Sequence, residues 1–161
     1  DKYLIQYGGH AMAAGFQIEK DNIEAFRDMI EQDGKNKLTI EQLQPIIRID
    51  AETNISDLNL NLIEELHQLE PFGSANPNPL FATRKVNLIG TPKVIGKKKN
   101  HLKFKIVQHG NVTNVIAFNF ADRLQELIHC DSIDIAYYPY LQEWNGQSSI
   151  DLQLKDFRKA K

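Results

Sequence analysis

From residue 80 onward the hydrophobic pattern takes a period of two, and this constrains the fold more than any other feature of the chain. The segments 80–83, 85–95, 101–108, 112–119, 132–138 and 149–155 are short, rich in β-forming residues and separated by turn signals. One stretch breaks the pattern: Ala121, Leu124, Leu127 and Ile128 follow Phe120 at helical spacing. Five or so strands with a helix after the third or fourth predict a small Greek-key barrel of the OB kind.

The first half reads differently. Residues 3–7 form a short strand or its end, which Gly8-Gly9 breaks, and Phe16-Gln17-Ile18 alternates like a strand. Asp21 or Asn22 caps a helix whose apolar set is Ile23, Phe26, Met29 and Ile30, with Gly34 ending it. The polar run 33–37 reads as a linker or loop, and 46–50 as a strand. Ser56 is expected to cap a helix with Leu58, Leu62, Ile63, Leu66 and Leu69 as its buried stripe, stopped by Pro71. Residues 71–79 are dense in turn formers and exclude regular structure. The class is α+β.

No run of about eighteen apolar residues occurs, so no segment reads as a membrane-spanning helix. The start has neither the basic nor the apolar region of a signal peptide and no initiator Met, and is read as cut from something longer. The single cysteine, Cys130, excludes an internal disulfide and fits a reducing cytoplasm. Charge is split: residues 1–82 carry 14 acidic and 6 basic side chains, a balance of −8, and residues 83–161 carry 7 and 13, a balance of +6. The basic half is the candidate for a polyanion.

Gly8-Gly9-His10, followed by Ala13-Ala14-Gly15, is the most informative cluster. Paired glycines let backbone N–H groups approach an anion, and a following His adds a donor for a phosphate oxygen. On spacing alone the same residues read first as a tight turn that packs small side chains under a sheet.

Residues 8–16 (Gly-Gly-His-Ala-Met-Ala-Ala-Gly-Phe) resemble the glycine-glycine-histidine motif of the DHH-associated domain of DHH phosphoesterases, in the form found in RecJ exonucleases. Residues 69–81 resemble the Pro-Phe-Gly…Asn-Pro-x-Pro-x-Phe segment that follows in RecJ, with Ala75 standing where glycine is expected. Residues 101–105, 116–118, 144–146 and 152–156 are similar to successive strands of the RecJ OB domain. The resemblance implies residues 1–37 as the C-terminal piece of an α/β DHH-associated domain. Residues 38–161 would be a linker and a five-stranded OB-type barrel with flanking helices. It implies a parent 5′-to-3′ exonuclease of single-stranded DNA, acting in repair and recombination. That parent would use Mn2+ or Mg2+ held by Asp and His residues upstream of this chain. Gly8, Gly9 and His10 would hold the scissile phosphate. No Asp-His-His triplet occurs here, so no metal or cofactor and no cutting activity are expected of this fragment alone.

In the basic half, His101, Lys103 and Lys105 alternate with Leu102, Phe104 and Ile106, which predicts one core face and one cationic face. Lys97, Lys98 and Lys99 precede them in a loop that is either solvated turn or phosphate contact. Single-strand binders also need rings for stacking. The candidates are Phe118, Phe120, Tyr137, Tyr138, Tyr140 and, foremost, Trp144 before an Asn-Gly turn signal. Single-stranded DNA is the expected partner. Two rivals stand beside it: a barrel that docks a single-strand-binding protein or repair helicase, and a piece of another DHH phosphodiesterase.

Overall fold

A computed structural model describes residues 2–144 and 146–161; of Trp144 the backbone alone is described. The chain forms two compact units, 1–47 and 48–161.

In the first unit, β1 (Leu4–His10) and β2 (Ala13–Ile18) make an antiparallel hairpin. Gly8-Gly9 does not break the strand. Gly8 pairs with Gly15 and Gly9 with Ala14, so the small residues let the ladder continue. Helix α1 (Ile23–Lys37) follows a short 3-10 turn, and Phe26 packs edge-on against Phe16 of β2 at 5.0 Å. The helix runs through Gly34, and residues 33–37 are its last turn rather than a linker. The Leu38 N–H bonds the Gly34 carbonyl, and Lys35–Glu31 and Lys37–Asp33 pairs brace that turn one helical turn apart. A single-turn helix α2 (Ile40–Leu43) closes the unit under a Thr39–Gln42 capping box.

The second unit is a closed five-stranded barrel. Its strands are β4 (Phe81–Ile95), β5 (His101–Gln108), β6 (Asn111–Ala117), β7 (Ile133–Trp144) and β8 (Gln147–Lys159). The order is β4-β5-β6-β8-β7, and a β4–β7 pairing closes it. Among these five strands β6 and β8 alone pair in parallel. This mixed connectivity, with helix α4 (Leu124–Ile128) between β6 and β7, is that of an OB barrel. β4 serves both sides of the closure. Phe81–Val86 pair with β7, and Asn87–Ile95 pair with β5. Bulges at each change of register coincide with positive φ at Lys85 and Gly90. β5 and β6 are joined by His109-Gly110, both at positive φ, in a two-residue hairpin turn.

Val86, Leu102, Ile106, Val115, Ile135 and Leu152 fill the barrel, and Leu127 of α4 is sealed from solvent at its end. The basic C-terminal residues are ordered strand as far as Lys159, with Arg158 paired to Asp134.

The lead-in departs from expectation. Residues 46–50 are not a strand; β3 is only Ala51–Glu52, parallel to the start of β4. β-propensity there had one barrel edge to pair with, over two residues. Nor does Ser56 cap a helix. Residues 55–57 form a 3-10 turn, and α3 (Leu60–His67) is capped by Asn59, whose side chain accepts the Leu62 N–H at 3.0 Å. Ile63 is its buried residue, Leu62 and Leu66 pack partly on the core, and Leu69 lies beyond its end, half exposed. The segment is nevertheless stitched to the barrel. The Gln108 side chain accepts the Ile55 N–H and donates to the Arg84 carbonyl, both at 2.9 Å. After α3, Asn76 donates to the Leu69 and Pro71 carbonyls, which closes the turn-rich loop on itself. Ala75 is not among the residues at positive φ, so a side chain is accommodated there without backbone strain.

Tyr137 is fully buried and its hydroxyl lies 2.8 Å from that of Thr83, which in turn donates to the Thr53 carbonyl. Burial pushes the Tyr137 phenol up to about 12. The folded state therefore keeps a proton that the unfolded chain releases near pH 10, so stability falls as pH rises from about 10 through about 12. We expect Tyr137→Phe to remove this alkaline component of the unfolding curve. An unchanged curve would place the loss elsewhere.

Candidate nucleic-acid interface

The alternation in β5 sorts its side chains as the sequence suggests. Leu102, Phe104 and Ile106 are buried, and Lys103 and Lys105 are exposed. The register then assembles an outer face from strands far apart in sequence. Lys93 of β4 lies opposite Lys103, which lies opposite Ile116 of β6, which lies opposite Gln153 of β8. The next row runs Ile89, Lys105, Asn114. Adjacent strands are about 4.8 Å apart, so Lys93 and Lys103 are like charges set directly against each other. Among the described residues none of Lys93, Lys97, Lys98, Lys99, Lys103 and Lys105 has an acidic partner. Lys97, Lys98 and Lys99 are exposed in the β4–β5 turn at one end of this face.

His101 is held by the backbone rather than projecting freely beside the lysines. Its Nδ1 accepts the Asn119 backbone N–H at 3.0 Å, which leaves the proton of a neutral ring on Nε2. Its ring meets Phe118 edge-on at 5.1 Å and lies so close to Gly96 that a Cβ there would sit 2.8 Å from it. His101 thus pins the lysine turn to the end of β6. Phe118 is 43% exposed beside it, a ring open to a stacked base.

The other rings divide. Tyr137 is core, Tyr138 and Tyr140 alternate with it on the outer side of β7, and Phe120 packs partly on the core under Arg123. The Arg123 guanidinium also stacks on Phe157 and pairs with Glu126 and Asp156, so this cation is committed to structure. The Trp144 side chain and the Asn145 turn lie outside the described residues. Lys93 was not legible beforehand; only the β4–β5 register brings it to Lys103.

In the first unit, Gly8, Gly9 and His10 lie together at the end of β1. Gly9 has a packing reason: an added Cβ would come within 2.5 Å of the Ala13 carbonyl oxygen. Gly8 has none, as a Cβ there meets open space. The exposed His10 accepts the Met12 N–H on Nδ1 at 3.2 Å, leaving Nε2 as a donor to solvent. Among the described residues no group of three or more His, Cys, Asp or Glu is placed to hold a metal ion. No helix there is long and apolar enough to cross a membrane.

A family model described as the RecJ OB domain matches residues 49–156, the barrel together with its lead-in. The chain belongs to this family. It is 28% identical over 153 residues to the single-stranded-DNA-specific exonuclease RecJ of Bacillus subtilis, covering 95% of this chain and 19% of that protein. It is 32% identical over 151 residues to RecJ of Haemophilus influenzae, covering 92% and 26%. The crystal structure of RecJ in complex with Mg2+ from Thermus thermophilus superposes with a TM-score of 0.73 at 25% identity, covering 99% of this chain and 24% of that one. Its counterpart in complex with Mn2+ gives 0.73 at 26% identity, covering 99% and 22%. The chain spans about a quarter or less of these RecJ proteins.

Proposed function

We propose that the barrel holds single-stranded DNA across its β5–β6 face and feeds it to the nuclease centre of a RecJ-type 5′-to-3′ exonuclease working in DNA repair and recombination in the cytoplasm. The observation that carries this is the opposed, unpaired Lys93–Lys103 couple beside Lys105. Like charges set against each other with no acid between them weaken the sheet, and a phosphate chain removes that cost. Lys97, Lys98 and Lys99 extend the cationic strip, and Phe118 offers a base a flat surface. Residues 1–37 are assigned, on the same reading, to the end of the DHH-associated domain. Gly8, Gly9 and His10 face the scissile phosphate, and Mn2+ or Mg2+ is bound by the part of the enzyme that lies outside this chain.

The test is a titration of fluorescent oligothymidylate over a range of salt. With about four phosphates neutralised, log affinity is expected to fall with log salt at a slope of roughly −3. A second reading has the face docking a partner such as a single-strand-binding protein or a repair helicase. The exposed Ile89, Val112 and Phe118 favour it. Binding insensitive to salt would select that reading and sink the first.

A further inference from the structure

A cleft of about 470 Å3 opens where β6, the start of β8 and the lead-in before α3 meet. Apolar residues such as Val112 and Ile150 share its wall with Asn59, Asn114, Ser148 and Asp151. Asp151 is only 4% exposed, yet it is not consumed by the fold. Its Oδ1 accepts the Asn114 amide N–H at 2.9 Å and the Ser149 hydroxyl at 3.1 Å. Its Oδ2 has no partner among the described residues, and no side-chain polar atom there is both sealed and unsatisfied, so Oδ2 keeps access to solvent. Asn114 donates its N–H to Asp151, and its carbonyl oxygen has no partner among the described residues.

Two hydrogen-bonded residues, each with an acceptor oxygen left over, therefore line one half-apolar cleft. A phosphate is repelled from such a site; a base carrying adjacent donors is not. Asn114 also lies directly opposite Lys105, so the cleft adjoins the cationic rows. A strand crossing the lysines from the β4–β5 turn reaches it next.

Resting on the single-stranded-DNA reading above, we infer that this cleft takes a guanine base, with Asp151 and Asn114 accepting its N1–H and N2–H groups. Guanine is the base that presents two adjacent donors on its Watson–Crick edge, the edge that single-strand readers use. Thymine presents one donor between two acceptors, and those acceptors face a carboxylate.

The test uses this chain and fluorescent twelve-nucleotide strands: all thymidine, or thymidine with one dG moved along the strand. At the favoured position dG is expected to tighten binding about fivefold or more over dT. Deoxyinosine, which lacks the N2 amino group, should fall between them; this comparison needs no mutation. Asp151→Asn, which turns one acceptor into a donor, should bring the dG and dT affinities together. Equal affinity for dG and dT at every position, with salt-dependent binding intact, overturns the guanine cleft and leaves the lysine face standing. No binding to any strand overturns both.

Discussion

If this chain belongs to the exonuclease proposed above, replacing His10 with alanine in that enzyme is expected to slow single-turnover cleavage about a hundredfold or more, while DNA affinity changes far less. A donor aimed at charge that develops in the transition state has an effect of this size when removed. The hairpin supports the role. The Met12 N–H on Nδ1 orients the ring and leaves Nε2 as its donor. The hairpin that carries the ring leaves no room for a Cβ at Gly9 beside Ala13. A melting curve measured beside the rate separates the roles. Slow cleavage at intact stability supports phosphate contact, whereas near-normal cleavage returns His10 to the hairpin turn.

Lys103→Ala combined with Lys105→Ala is expected to flatten the salt slope from roughly −3 to roughly −1.6, since each phosphate contact on a single strand accounts for about 0.7. Affinity should fall most at low salt and approach the wild-type value at high salt. The fold should not suffer. Lys103 is exposed and set against Lys93, so its removal relieves a repulsion, and the melting temperature should hold or rise. Reduced binding that tracks reduced stability would mean that the face is structural.

The barrel was legible because a small closed sheet leaves one side of each strand in water. Leu102, Phe104 and Ile106 had to alternate with Lys103 and Lys105, and they do. Even the sequence break between 80–83 and 85–95 has a counterpart, the bulge at which β4 changes neighbours. The errors share a cause. Gly8-Gly9 and Gly34 were read as breakers from residue type, but one sits in a ladder of equally small partners and the other in a helix braced by two ion pairs. Residues 46–50 have strand character and no strand to pair with. His101 alternates with the lysines in sequence, and nothing there shows that it is tied to the Asn119 backbone in space. Lys93, Asn114 and Asp151 gave no signal, because their meaning lies in register. Nothing along the chain says that Lys93 meets Lys103, or that Asn114 meets Asp151 over the seam between β6 and β8.

The double duty of β4 bears on how such a chain emerges from the ribosome. Of the five barrel strands β4 is made first, and its second half has β5 within reach across a short turn. Its first half waits for β7, since Phe81 pairs with Tyr137. Until then β4, β5 and β6 form a meander with an open edge, able to pair with another nascent copy. Contacts so distant along the chain also make closure slow. A chain that stalls or is clipped before Ile133 would therefore be caught as an unfinished, self-associating sheet, and a protease or chaperone would meet it in that form.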